Sequence, residues 1–124
     1  MWTDARIAAA TDLDIPVLQG PQRQGDILVL PLTDDAPRGP HAPTPVPAEG
    51  IAVVRSESTG HAHTIIGEGT WTVAVRSADL GVLHVTVTAY LVHPEHAALG
   101  IGPGRYLLRR QREHTQAGSV SVAD

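Results

Sequence analysis

The feature that most constrains the fold is the alternation of side chains between Val82 and His93. The aliphatic side chains share one parity: Leu83, Val85, Val87, Ala89 and Leu91. The intervening side chains share the other: His84, Thr86, Thr88 and Tyr90. Because successive side chains of a β-strand point to opposite faces, the pattern predicts a strand with one apolar face. His93 continues the parity of the aliphatic face, so we expect it to point inward at the strand's end.

Other extended segments, separated by Gly and Pro turns, fill the chain between residues 21 and 114. They cover residues 24–32, 51–58, 61–66, 70–76 and 105–113. Short strands with regular turn signals predict an all-β fold, a small single-domain barrel or sandwich. With no Phe and only Trp2, Trp71, Tyr90 and Tyr106 as aromatic residues, we expect a core of β-branched and small aliphatic side chains.

The segments flanking and interrupting this domain have different compositions. Residues 1–20 predict an N-terminal arm or short helix, capped by Thr3 or Asp4 and too short to be stable alone. Such an arm would pack on the barrel or on a neighbouring subunit. Residues 33–50 form a Pro-rich loop. Residues 115–124 are small and polar and predict a disordered tail.

The composition excludes several functions. Without Cys the chain has no disulfide and no thiolate ligand, and without Lys it has no Schiff base or phosphate-loop lysine. A formal net charge of −4 argues against nucleic-acid binding. No apolar run reaches about 18 residues, so no membrane span is expected. The polar N-terminus lacks the order of a signal peptide, and we expect a cytoplasmic protein.

Four of the seven histidines lie in two short runs, His61 with His63 and His93 with His96. Residues i and i+2 of a strand project to the same side, so His61 and His63 form a chelating pair about 6 to 7 Å apart at Cα. If the two runs are adjacent, inward-pointing His93 and nearby His96 complete three or four nitrogen ligands. The expected cofactor is therefore a divalent metal ion, either Zn, Ni, Mn or Fe.

The spacing of His61, His63 and Glu68 resembles the first motif of the cupin family, whose small β-barrels bind such metals. The resemblance implies that Glu68 supplies a carboxylate ligand and that a later histidine completes the set. Arg55 and Ala74 stand where the motif has its flanking glycines, and the second motif is absent. A later ligand would therefore be His93 or His96, before the turn at residues 102–104 rather than after it. The other acids near the histidine runs are Glu57 and Glu95.

Whether such a site is catalytic is left open, and no catalytic residue is assigned. The alternative is a non-catalytic assembly or protein-interaction module whose histidines are structural. We expect a homo-oligomer, with a possible protein partner bound by the Pro-rich loop or by the arginines of the last strand. Those arginines, Arg105, Arg109, Arg110 and Arg112, also suit an edge strand protected by charge. The remaining histidines, His41, His84 and His114, are not expected to be ligands.

Overall fold

The protein folds as a curled β-sheet. The computed structural model describes residues 15–37, 39–55, 59–74, 78–115 and 118–121, and these contain strands and no helix. The strands in chain order are β1 (Val17–Leu18), β2 (Gln22–Gln24), β3 (Ile27–Pro31), β4 (Thr44–Pro45), β5 (Ile51–Arg55), β6 (Ala62–Val73), β7 (Asp79–His93), β8 (His96–Ile101), β9 (Gly104–Arg110), β10 (Arg112–Thr115) and β11 (Gly118–Ser121). The prediction of an all-β fold is confirmed, and the main sheet curls into a half-barrel.

Two long antiparallel strands, β6 and β7, form the centre of the sheet. Strand β6 pairs with β7 on one edge and with both β4 and β5 on the other. Strand β7 divides its second edge between β9, along residues 79–85, and β8, along residues 89–93. Two groups of strands therefore leave the same edge of β7, and we call them the wings of the half-barrel. One wing contains β8 and β1, and the other contains β9, β3 and β2.

The two wings converge again on the far side of the curl. One wing continues from β9 to β3 and β2, and β2 then approaches β8 of the other wing. The side-chain amide of Gln24 donates to the carbonyl oxygens of Leu91 at 2.8 Å and Ala97 at 2.9 Å. Gln22 similarly donates to the Gly100 carbonyl at 2.8 Å. Glutamine side chains thus join two wings that no strand pairing connects.

The core includes most of the β7 side chains that the alternation predicted. Leu83, Val85, Ala89 and Leu91 are buried, together with His93. Val87 departs from the pattern because it is 54% exposed. It lies between the β9-paired and β8-paired parts of β7, opposite a register shift in β6 between Gly67 and Gly69. Parity there no longer determines which side faces the core.

The segments flanking the main sheet are described only in part. The predicted N-terminal helix lies outside the described residues, and β1, at the end of the predicted arm, pairs in parallel with β8. Gly118–Ser121, within the predicted disordered tail, pairs with Arg112–Thr115 as a two-stranded sheet. The last strand of the main sheet, β9, is not an edge strand, because it lies between β3 and β7. The arginines of the last strand predicted an edge, whereas Arg105, Arg109 and Arg110 form contacts within the chain.

The contacts of three arginines on β9 are described. Arg105 donates to the backbone carbonyls of Asp34 and Ala36 and holds the start of the Pro-rich loop against the sheet. Arg109 Nε lies 2.7 Å from Asp79 Oδ1. Arg110 Nε lies 2.9 Å from Asp26 Oδ2. The basic charge on β9 is thus balanced inside the molecule.

Tyr106 on β9 gives a stability prediction with a pH signature. Its ring is buried and its hydroxyl donates to the Gly102 carbonyl at 2.8 Å. Substitution of Tyr106 by Phe is expected to cost about 1 kcal/mol of unfolding free energy, since the bond is lost inside the protein. Tyr90→Phe, at a half-buried ring with no described hydroxyl bond, is the control and should change stability by less than about 0.5 kcal/mol.

Burial raises the pKa of Tyr106 above its ordinary value of 10.0, because the phenolate would lose its hydration. Above the ordinary tyrosine pKa, the unfolded chain loses the Tyr106 proton more readily than the folded protein does. The free energy of unfolding therefore falls as the pH rises. Chemical denaturation between neutral and strongly alkaline pH measures this loss, which should be smaller in Tyr106→Phe. Equal alkaline loss in both proteins would contradict it.

Candidate metal centre

The four histidines of interest come together at one end of the half-barrel. His63 lies near the start of β6, His93 ends β7 and His96 begins β8. A tight turn returns the chain from β7 to β8, so His93 and His96 are direct cross-strand partners. The pairing of Thr64 with Val92 brings the start of β6 beside the end of β7. Antiparallel pairing therefore unites two runs that are thirty residues apart in the sequence.

The imidazole rings are in contact, and His93 is the central one. Its ring centre lies 4.4 Å from that of His63, 4.6 Å from that of His96 and 5.7 Å from that of His61. The rings of His63 and His96 are 5.9 Å apart and nearly parallel. His63, His93 and His96 thus form a closed triangle, which we call the histidine cluster, and His61 lies at its rim.

The protonation of His63 follows from its partner Gln24. Both amide hydrogens of Gln24 are directed to backbone carbonyls, so its Oε1 atom can only accept. That Oε1 lies 2.9 Å from His63 Nδ1, which must therefore carry a hydrogen. In the neutral ring the lone pair is then on Nε2. Both residues are almost completely buried, which makes this arrangement costly to disturb.

The other three histidines differ in the hydrogen bonds that their ring nitrogens form. His61 Nδ1 lies 2.8 Å from Glu95 Oε1, a contact that leaves Nε2 as the lone-pair nitrogen of the neutral ring. His93 Nδ1 accepts the Glu95 amide hydrogen at 3.1 Å. His96 Nε2 is buried and has no hydrogen-bond partner among the residues that the structure describes. Carboxylate-bound histidines such as His61 are common in metal sites, where the acceptor orients the ring.

A buried carboxylate borders the same cluster. Asp26 occupies the two-residue turn between β2 and β3, where Gly25 has a positive φ of 57°. The Asp26 side chain is 2% exposed, and its Oδ1 lies 3.5 Å from His63 Nε2. Its second oxygen, Oδ2, accepts from Arg110 Nε, and its backbone carbonyl accepts from the Gln111 amide at 2.7 Å.

The structure does not bring Glu68 to the cluster. Glu68 is exposed on β6, five residues beyond His63, which corresponds to about 16 Å along an extended strand. Its backbone carbonyl accepts from the Thr86 hydroxyl, and no described contact joins its carboxylate to a histidine. Glu57, another acid close to the histidine runs in sequence, lies outside the described residues.

The imidazole rings of the four histidines pack against each other rather than around a common point. Within the described part of the chain, no group of three or more His, Asp or Glu has a metal-holding arrangement. Coordination would require the rings to rotate about their side-chain torsions. Such rotation leaves the backbone of β6, β7 and β8 in place.

Gln24 and Asp26 are the site residues that sequence reasoning missed. Both belong to the β2–β3 hairpin, and the Gly25-Asp26 turn of that hairpin predicts from the sequence only that a strand begins there. A glutamine and an aspartate next to a turn are ordinary surface residues in most sequences. Only the approach of β2 to β8 reveals that this hairpin meets the histidines.

The fold and the site together define an all-β domain with a buried histidine cluster at the end of a curled sheet. Residues 23–111 match the family model described as a domain of unknown function, DUF8820. The match covers well over half of the chain, and the chain belongs to this family. All residues of the histidine cluster, with Gln24 and Asp26, lie within the matched range.

The remaining comparisons give no relative. No curated protein and no solved structure matches this chain. In the described residues, no helix is both long enough and apolar enough to cross a bilayer.

Proposed function

We propose that the histidine cluster binds a divalent transition-metal ion, with His63 and His96 as principal ligands through Nε2. His61 adds its Nε2 atom, and His93 completes the nitrogen set by giving up the hydrogen bond that its Nδ1 atom accepts from the Glu95 amide. The observation that carries the proposal is the buried Nε2 of His96, which no described hydrogen bond satisfies, beside the buried ring of His63. Buried polar atoms normally have a partner, and a metal ion is one that suits imidazole nitrogen.

The spacing of the rings supports this proposal. Two imidazoles bound to one zinc ion at about 2.0 to 2.1 Å have ring centres about 5 Å apart at a tetrahedral angle. The measured separations of 4.4, 4.6 and 5.9 Å bracket that value. The ligand nitrogens therefore need reorientation rather than a rearrangement of the sheet.

The chemistry available depends on how many ligands bind. Three protein ligands and one open position would allow the ion to act as a Lewis acid or to activate water. Four closed ligands would make the ion structural. In a cupin-like role, the carboxylate would have to come from a residue other than Glu68, given where that side chain lies.

A metal titration tests the proposal. Protein purified without a nickel column, then treated with chelator, is expected to bind about one Zn²⁺, Ni²⁺, Mn²⁺ or Fe²⁺ per chain and to gain about 2.7 kcal/mol of stability at 100 times Kd. The variant His63→Ala with His96→Ala should lose this gain. Elemental analysis and thermal denaturation measure stoichiometry and stabilisation.

The matched control is His41→Ala with His84→Ala, since both of those histidines are exposed. It should bind the metal like the unmodified protein. Metal content below about 0.1 per chain, with no stabilisation by any of the four ions, contradicts the proposal.

A second candidate function is a non-catalytic assembly module whose histidines are structural. The observation that favours it is the direct packing of three rings, with His63 bonded to Gln24 across the join between the wings. In that role the protein would associate with copies of itself or with another chain, and the half-exposed Val17 and Leu18 on β1 offer apolar surface. A homo-oligomer in sedimentation, unchanged by metal or by His63→Ala with His96→Ala, would favour this function.

A further inference from the structure

We propose that Asp26 is the carboxylate ligand of this centre, that Gln24 positions the His63 imidazole and that Arg110 positions the Asp26 carboxylate. This inference rests on the metal-binding function proposed above. It replaces Glu68, the acid that the cupin-like spacing indicated, with an acid from a different strand pair.

The first step of the argument is the direction of the His63 lone pair. Because Gln24 holds the hydrogen on Nδ1, the lone pair of the neutral ring is on Nε2. A carboxylate oxygen, Asp26 Oδ1, lies 3.5 Å from that nitrogen. A nitrogen lone pair and an anionic oxygen thus face each other where the two side chains are 1% and 2% exposed.

The second step is electrostatic. Two electron-rich atoms that face each other away from water repel, unless a positive charge lies between them. Arg110 places one positive charge on Oδ2, and a proton on Nε2 or a metal ion would place another between the two facing atoms. A proton shared by imidazolium and carboxylate draws the heavy atoms to about 2.7 to 2.9 Å.

The third step is the distance. Two donors bound at about 2.0 to 2.1 Å to one zinc ion with a tetrahedral angle are about 3.4 Å apart. The observed 3.5 Å between His63 Nε2 and Asp26 Oδ1 is close to this separation and longer than a charge-assisted hydrogen bond. The pair is therefore spaced as two ligands of one ion.

The fourth step concerns the residues around the pair. Arg110 binds Oδ2 at 2.9 Å, which fixes the carboxylate and leaves Oδ1 directed to His63. Gln24 fixes the imidazole in the same way from the other side. Metal sites commonly hold their ligands by such outer hydrogen bonds. A carboxylate added to imidazole nitrogens gives a mixed N and O set, which suits Zn²⁺, Fe²⁺ or Mn²⁺ and disfavours the softer Cu⁺.

The test compares Asp26→Asn with Asp79→Asn in the full chain. Asp79 is the matched control, because its carboxylate is bound by Arg109 Nε as Asp26 is bound by Arg110 Nε, and no described contact joins it to the histidines. Zn²⁺ affinity is measured by competition with a chromophoric chelator, after circular dichroism has verified folding. Asp26→Asn is expected to weaken Zn²⁺ binding about 100-fold, whereas Asp79→Asn should change it less than about twofold.

A measurement on the unmodified protein covers the case in which Asp26→Asn fails to fold. Addition of Zn²⁺ should shift the carboxyl ¹³C resonance of Asp26 and leave that of Asp79 in place. One outcome would overturn this inference alone. The unmodified protein would bind Zn²⁺ and His63→Ala would not, while Zn²⁺ left the Asp26 resonance in place and a folded Asp26→Asn kept its affinity. Asp26 would then not be a ligand. If the unmodified protein binds none of Zn²⁺, Ni²⁺, Mn²⁺ and Fe²⁺, the inference and the proposed function fail together.

Discussion

Replacing Gln24 with alanine is expected to lower the free energy of unfolding by about 3 to 5 kcal/mol, because it removes two buried hydrogen bonds and one partly buried hydrogen bond. The partners are the carbonyl oxygens of Leu91 and Ala97 and the Nδ1 hydrogen of His63. The same three bonds join the β2 wing to β7, β8 and β6. Chemical denaturation monitored by circular dichroism measures the loss.

Gln19→Ala is the matched control for this substitution. Gln19 also donates its side-chain amide to a backbone carbonyl, that of Pro103 at 2.8 Å, but on the exposed surface. Water replaces that partner, so the expected change is below about 0.5 kcal/mol. If Gln24→Ala were no more destabilising than Gln19→Ala, the amide bonds of Gln24 would not be what joins the wings.

Gly69→Ala is expected to cost about 3 kcal/mol or more, since the added methyl group has no space between β6 and β7. A Cβ atom at this position would lie 2.1 Å from the His84 carbonyl oxygen and 3.1 Å from Val85 Cα. Both contacts are to backbone, which cannot move without separating the central strand pair. The substitution tests whether close approach at the β6 register shift is required by the fold.

The control is Gly20→Ala, where a Cβ atom would meet nothing within 4 Å. Gly20 is exposed, and the same substitution there should alter stability by less than about 0.5 kcal/mol. Urea titration of the two variants gives the comparison. A Gly69→Ala protein as stable as Gly20→Ala would mean that β6 and β7 pair differently in solution.

The strands were predictable wherever one face is buried along a regular ladder. Leu83, Val85 and Leu91 alternate because the pleat has a period of two residues, and that period is visible in any short window. Val87 breaks the rule because its stretch of β7 lies where β9 has ended and β8 has not begun. The position of that gap depends on pairing with two strands that come later in the chain.

The proposed metal site could be predicted in part, for the same reason. Parity placed His93 on the inner face, and the paired runs indicated that His61, His63 and His96 would be neighbours. The sequence could not distinguish the central ring of His93 from the peripheral ring of His61, because that depends on how the β7–β8 hairpin lies against β6. It also favoured Glu68, since spacing along the chain was the only measure of proximity available.

The sequence by itself determined the all-β class and the core face of β7 with His93 at its inner end, both of which are local consequences of side-chain parity. Strand pairing decided that the two histidine runs meet. Tertiary structure alone decided that the β2–β3 hairpin closes the half-barrel against β8. The curl of a sheet accumulates from the twist between many strands, so no short segment encodes it. That curl is why Gln24 and Asp26, rather than Glu68, lie beside the histidines.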